Sequence, residues 1–323
     1  MGTNFMNKKV HKDYIRILAE AFFIIIASLI LNHIAGGKFL TLFNLKFIIV
    51  GATIPTFTAW GLSFIFASNI TDFSIGAVII LAATVTGTLG NLFGLAGVLV
   101  GGMAVGFILL LINFQVYNIT KITSWIAGMG MAMIYESITV IYSNSRLKNG
   151  LQVIQLDDDK KIFGQPPAIN IILIIGLIAA YVVYNKTTIG LNVRALGSNQ
   201  EVSKMMGINV SKTLLLGGLI AGAFFGASGF LTESYAGRAI AATGLTSIAT
   251  IFQPLAAVLL AQVMEKYINL MIAIPVATII ITAIFNVLTL LGVPSGTLQQ
   301  TFLGVIVIIF GILAQRGEKG VVK

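Results

Sequence analysis

Cysteine is absent from the chain and histidine occurs only twice, at His11 and His33. This excludes a disulfide framework, a thiolate metal site and a histidine cluster. Charge is also scarce, with Asp, Glu, Lys and Arg making up 10% of the residues. No Gly-x-x-x-x-Gly-Lys-Ser/Thr loop occurs, and the glycines form no strand-to-helix dinucleotide fingerprint. The sequence therefore carries no nucleotide chemistry of its own and implies no cofactor and no metal site.

What is present is apolar. Hydrophobic residues make up 57% of the 323 and the mean hydropathy is +0.97, beyond what an ordinary soluble domain needs. A net charge of +9 taken alone would suggest nucleic acid. The basic residues are instead spread thinly between apolar runs and at the termini, where they read as topology signals and imply no nucleic-acid partner.

Windows of bilayer-spanning length give roughly ten spans, an all-α polytopic membrane protein with lipid as its surroundings. They fall near residues 15–34, 47–66, 72–90, 94–115, 122–141, 168–184, 213–231, 246–264, 267–290 and 298–314. The basic start MGTNFMNKKVHKDY, followed by a long apolar run without a small-residue cleavage site, reads as an uncleaved first span. Met6 stands where a myristoylation motif wants Ser or Thr. Placing both termini in the cytoplasm puts 13 of the 20 basic residues inside, as the positive-inside bias requires. The whole chain, 1–323, then reads as a single transmembrane domain.

Several local features refine this layout. Pro166-Pro167 ends the longest outer loop, Tyr142 to Pro167. Gly218, Gly222 and Gly226 mark one helix face expected to pack against another helix. Glu233 to Thr250 is too polar for a plain span and reads as a short outer or re-entrant helix, with Pro254 as a break beyond it.

Thr187 to Val210 is the one long polar passage, with Arg194, Glu201 and Lys204 inside it and Lys186 and Lys212 at its edges. The positive-inside bias assigns it to the cytoplasm. Asn199 to Met206 reads as a short helix capped by Ser198 or Asn199 and stopped by Gly207.

Acids in the apolar bulk are the other signal. Asp72, with Asn69, Thr71 and Ser74 around it, reads either as a cap on the third span or as part of a translocation path. Glu136 should face the bundle or a water-filled cavity, not lipid. Glu233 and Arg238 have the spacing to meet each other or an outside partner. Trp60, Trp125, Asn113, Gln115, Gln253 and Asn286 are candidates for lining a polar path through the bundle, and each has a packing alternative.

The run from Thr188 through Arg194, Gly197 and Asn199 to Glu201, followed by Met206-Gly207-Ile-Asn209-Val210, resembles the coupling segment of bacterial ABC importer permeases. The similarity is to the branch serving ribose, galactose, xylose and related monosaccharides. Asn69 to Gly76, Ile119 to Tyr142, and Asn286 to Gly292 followed by Gln299-Gln300 extend it over roughly Phe47 to Ala314. The resemblance implies the permease fold of the monosaccharide and branched-chain amino acid type. Arg194, Gly197, Asn199, Glu201, Lys204 and Gly207 would dock on a separate ATP-binding subunit, and Asn69, Asp72, Ser74, Glu136 and Asn286 would be candidates for the path.

It further implies an extracytoplasmic sugar-binding protein and a second permease copy or paralogue, in a bacterial inner membrane. The chain would then be a transport subunit, not an enzyme. One departure is Leu260-Ala-Gln262-Val-Met-Glu265-Lys266-Tyr267, where the family has a Gly- and Ser-rich turn. It keeps a non-catalytic partner in a heteromeric transporter open. An ion-coupled secondary transporter, with Asp72 and Glu136 as coupling acids, is the other alternative.

Overall fold

A computed structural model describes residues 26, 28–148, 156–294 and 296–318. Most of the expected first span lies outside the described residues, as do Lys8, Lys9, Lys12, Arg16, Lys319 and Lys323. Every regular element among the described residues is helical. Among the described residues, eight helices are long and apolar enough to cross a membrane. They are α1 (Leu42–Ala67), α2 (Ile75–Thr120), α3 (Ser124–Lys148), α4 (Ala168–Lys186), α7 (Val210–Ala236), the run Thr246–Met264 that ends in α8 (Phe252–Met264), α9 (Leu270–Leu290) and α10 (Thr297–Glu318). The short helices α5 (Thr188–Ser198) and α6 (Gln200–Met205) join α4 to α7.

A straight helix of the 46 residues in α2 would be about 70 Å long, more than twice the hydrocarbon core. It is broken at Gly94, where φ is 65° and ψ −151°, a conformation essentially confined to glycine. Beyond Gly94 the chain doubles back. Gly90 lies against Val98, and a Cβ on Gly102 would meet Thr86 Oγ1 at 2.8 Å. α2 is therefore the two spans expected over 72–90 and 94–115, and with it the span count approaches ten.

α7 packs on the returning arm of α2 through the glycine face the sequence marks. A Cβ on Gly222 would lie 2.6 Å from the Gly106 carbonyl oxygen, one on Gly226 would overlap that of Gly102, and one on Gly218 would overlap the Phe114 ring. Lipid offers helices no hydrophobic reward for associating, so backbone proximity through small residues supplies the contact.

Proline positions carry their own consequences. Pro254 falls in the first turn of α8, where its missing donor costs nothing. The break expected there comes just before it, at the 3-10 turn Thr246–Ile251. Pro275 lies inside α9 and leaves the Met271 carbonyl without its helical donor. Trp60 Nε1 donates to that oxygen at 3.0 Å. Trp60 is fully buried against Phe57 and Phe224, so it joins α1 to α9 and lines no open path.

At the end of the bundle away from α5 and α6, the 3-10 turn Asp158–Gly164 lies over α7. Leu156 N donates to the Gly237 carbonyl at 2.9 Å. Within this exposed turn Lys161 donates to Asp158 and holds its carboxyl below the usual range.

Candidate functional site

The polar passage is two helices, not one. Thr187 caps α5 by accepting from Gly190 N at 3.2 Å, Asn199 caps α6 by accepting from Val202 N at 3.0 Å, and Asn209 caps α7 through Lys212 N at 3.0 Å. Gly207, at φ 82°, makes the turn between the last two. The reading of a single helix after Asn199 missed α5, whose two glycines lower its helix propensity. Its signal was the apolar face of Val193 and Leu196, both buried.

α5 sits against the bundle through Gly197. A Cβ there would overlap the carbonyl oxygen of Ala67, the last residue of α1. Gly217 of α7 approaches Ser68 beside it. Arg194 lies over the Tyr184 ring, 5.0 Å from its centroid, a cation–π contact at the end of α4. Asn199, Glu201, Lys204 and Gly207 are exposed, as are Met205 and Met206. One face of this segment is thus fixed to the bundle, and the other is an open surface of mixed charge with two methionines.

The linker from Ala67 to Ile75 leads from this contact to the buried acid. Asn69 is exposed and takes φ 55°, a left-handed position that Asn tolerates. Asp72 is 3% exposed. Its Oδ1 accepts from Ser74 N at 2.7 Å and its Oδ2 from Asn113 Nδ2 at 3.1 Å. Asn113 Nδ2 also donates to Ser74 Oγ at 2.6 Å, and Asn113 Oδ1 accepts from Tyr135 Oη at 2.7 Å. Asp72 therefore turns the chain into α2 by binding the amide just before the helix, and both arms of α2 and α3 converge on it. Gly128 of α3 leaves room, since a Cβ there would be 2.6 Å from Asp72 Oδ1.

Glu136, one residue beyond Tyr135, is 4% exposed. Its two oxygens accept from Leu245 N and Ser247 N, each at 2.9 Å. Leu245 has φ 65°, and Thr246–Ile251 begins immediately after it. The carboxylate thus caps a broken helix from a neighbouring one, where free amides favour negative charge. Ser247 lies deep in the bundle, because a Cβ on Gly76, in the first turn of α2, would overlap its carbonyl oxygen. The segment after α7 is not a short helix of its own: it runs without helix to Leu245 and then enters the 3-10 turn Thr246–Ile251 that leads into α8. A groove lined by Met133, Glu136, Ser137, Thr243 and Gly244 opens beside this turn.

The remaining residues separate. Asn286 exchanges side-chain hydrogen bonds with Asn44 at 2.8 and 2.9 Å, joining α9 to the start of α1 away from the Asp72 and Glu136 cluster. Gln253 donates to Thr282 at 3.3 Å. Trp125 and Gln115 are exposed. Glu233 and Arg238 do not meet. Glu233 is fully buried, while Arg238 is exposed. Glu265 and Lys266 of the departing turn line a groove with Phe66, Gln262 and Ala314. Ala67, Ser124, whose Oγ accepts from Thr71 N at 3.3 Å, and the amides of Leu245 and Ser247 were not legible as site residues. Small residues and backbone groups carry no sequence signal of their own.

A family model described as the permease component of the branched-chain amino acid transport system matches residues 44–311. The galactose/methyl galactoside import permease protein of Haemophilus influenzae is 26% identical over 223 residues, 62% of this chain and 66% of that protein, just under two thirds of its length. The D-allose transport system permease protein of Escherichia coli is 28% identical over 69% of each chain. The ribose import permease protein of Bacillus subtilis is 24% identical, over 70% of this chain and 71% of its own. No solved structure matches.

Proposed function

The chain belongs to the family described as the permease component of the branched-chain amino acid transport system, and from that premise we propose that it is the membrane subunit of an ATP-driven importer of a simple sugar. It receives the sugar from an extracytoplasmic binding protein and passes it to the cytoplasm. The whole chain forms one transmembrane domain in a bacterial inner membrane, with both termini cytoplasmic, and two copies, or this chain and a paralogue, enclose the path. ATP is bound by a separate subunit that docks on the exposed face of α5 and α6, using Asn199, Glu201, Lys204 and Gly207, while Arg194 and Gly197 fix the same segment to the bundle. Asn69, Asp72, Ser74 and Glu136 border the path.

The observation that carries this reading is the seating of Gly197 on the end of α1. Force applied to an exposed helical segment reaches the buried Asp72 linker within a few residues, as a transporter driven from outside its membrane domain requires. The names of the relatives supply the substrate class. The sequence offers no nucleotide-binding loop of its own.

The test is uptake into vesicles containing this chain, its ATP-binding subunit and its binding protein, with labelled galactose, allose, ribose and fructose. Uptake of one of these that needs both ATP and the binding protein is expected. Uptake that follows the membrane potential and ignores ATP would overturn the proposal in favour of ion coupling.

A further inference from the structure

Tyr135 and Glu136 are consecutive on α3 yet hold two different parts of the molecule. Tyr135 Oη donates to Asn113 Oδ1 at 2.7 Å and to the Leu109 carbonyl at 3.1 Å, and Asn113 in turn holds Asp72 and Ser74. Glu136 holds the amides of Leu245 and Ser247. Thr71 N donates to Ser124 Oγ at the start of the same helix. α3 is thereby fastened at one end to the Ala67–Ile75 linker and, near its middle, to the turn that opens the run Thr246–Met264.

A buried carboxylate shared between two backbone amides is an expensive way to hold a loop. The residues from Gly237 to Leu245 contain no helix, and three of them, Gly237, Gly244 and Leu245, take positive φ. Such a segment has little stiffness of its own, so its position in the bundle is set by what grips it. Within the turn Thr243 and Thr246 bond to each other and Ile248 N donates to the Leu245 carbonyl at 3.1 Å, while Leu156 N holds the Gly237 carbonyl at the segment's start. Among the described residues, Glu136 is the side chain that accepts from both Leu245 N and Ser247 N.

We propose that Glu136 is a positioning residue for transport. It sets the place of the Leu245–Ser247 turn according to where α3 stands, and α3 follows the Asp72 linker through Tyr135 and Asn113. That turn then moves with the polar segment. This inference rests on the ATP-driven reading above. It adds the element that carries movement from the coupling segment to the path, and it assigns Glu136 to holding the turn instead of to substrate or ion binding.

The absence of cysteine makes the test direct. Thr243→Cys, at an exposed position on the turn, is labelled with a maleimide in the assembled transporter, with and without ATP and vanadate, in parent and Glu136→Gln backgrounds. The amide keeps the size of the side chain and one acceptor but faces the second backbone N–H with a donor. In the parent background the labelling rate is expected to change about tenfold or more on nucleotide trapping, and in Glu136→Gln that change shrinks to about twofold while ATPase association is retained. Tyr135→Phe, which loses the hydroxyl's bonds to Asn113 and the Leu109 carbonyl but leaves Glu136 in place, falls between the two. Sugar moved per ATP hydrolysed should fall in the same order, with the KM for the sugar unchanged.

A nucleotide response in Glu136→Gln equal to the parent's overturns the inference and leaves the proposed function standing. A raised KM with an intact response also overturns it, in favour of substrate contact. A parent complex with no ATP-dependent uptake overturns the proposed function and takes the inference with it. If Glu136→Gln fails to assemble, Tyr135→Phe decides, and a response equal to the parent's in that variant counts against the inference.

Discussion

Gly197 of α5 rests on the carbonyl of Ala67, so close that no Cβ fits between them. This contact joins the polar segment to the first described span, and the account turns on it. Gly197→Ala must push α5 off its seat or tilt the end of α1. Overpacking of this kind costs about 1–3 kcal/mol, equivalent to roughly a tenfold change or more in the equilibrium it disturbs. ATP-driven uptake should fall about tenfold at unchanged protein level, measured in vesicles against the parent. Gly207→Ala, where nothing lies within 4 Å of the new Cβ but φ is 82°, should instead strain only the local turn.

Asn113 is the hub of the Asp72 cluster. Asn113→Ala leaves Asp72 Oδ2 and Tyr135 Oη each short of a partner while both residues stay buried. Loss of a partner by a buried polar group costs about 1–3 kcal/mol. The purified protein should therefore unfold several degrees lower in detergent, and Asn113→Asp, which sets a second carboxylate beside Asp72, should be worse.

The glycine contacts of α7 predict a contrast. Gly222→Leu forces α7 away from the Gly106 backbone and should abolish accumulation of folded protein. Gly304→Ala, where a Cβ meets nothing within 4 Å, should raise helix stability by about 0.5–1 kcal/mol. Heating membrane extracts and assaying the soluble fraction separates the two.

Trp60→Phe removes the donor to the carbonyl that Pro275 leaves open. A loss of about 1–3 kcal/mol is expected. Pro275→Ala, which restores the helical donor, should lessen the effect of Trp60→Phe, so the double variant should depart from additivity by about 0.5 kcal/mol or more. Thermal unfolding of the four proteins gives the cycle.

The spans were legible because length and apolarity suffice to mark them, and the Gly218, Gly222 and Gly226 face because close packing in lipid needs small residues at that spacing. The polar segment was legible by contrast with its surroundings. Pairings across the bundle were not. Nothing in the sequence sets Asn286 beside Asn44 rather than on a sugar path, or directs Glu136 to two amides more than a hundred residues away. Glu233 and Arg238 are close in sequence, but α7 ends at Ala236 and the left-handed Gly237 turns the chain away, so Glu233 stays buried on the helix while Arg238 lies beyond it, exposed. Trp60 read as a path residue because its partner is a backbone oxygen freed by a distant proline.

The proposed coupling requires the polar segment to face the cytoplasm and to meet an ATP-binding subunit there. Gln200→Cys places one thiol on its exposed face in a chain that has no other. Impermeant maleimide should label it in inside-out vesicles, fail to label it in intact cells, and be blocked when the ATP-binding subunit is bound. Labelling from outside intact cells, or labelling indifferent to that subunit, would contradict the account.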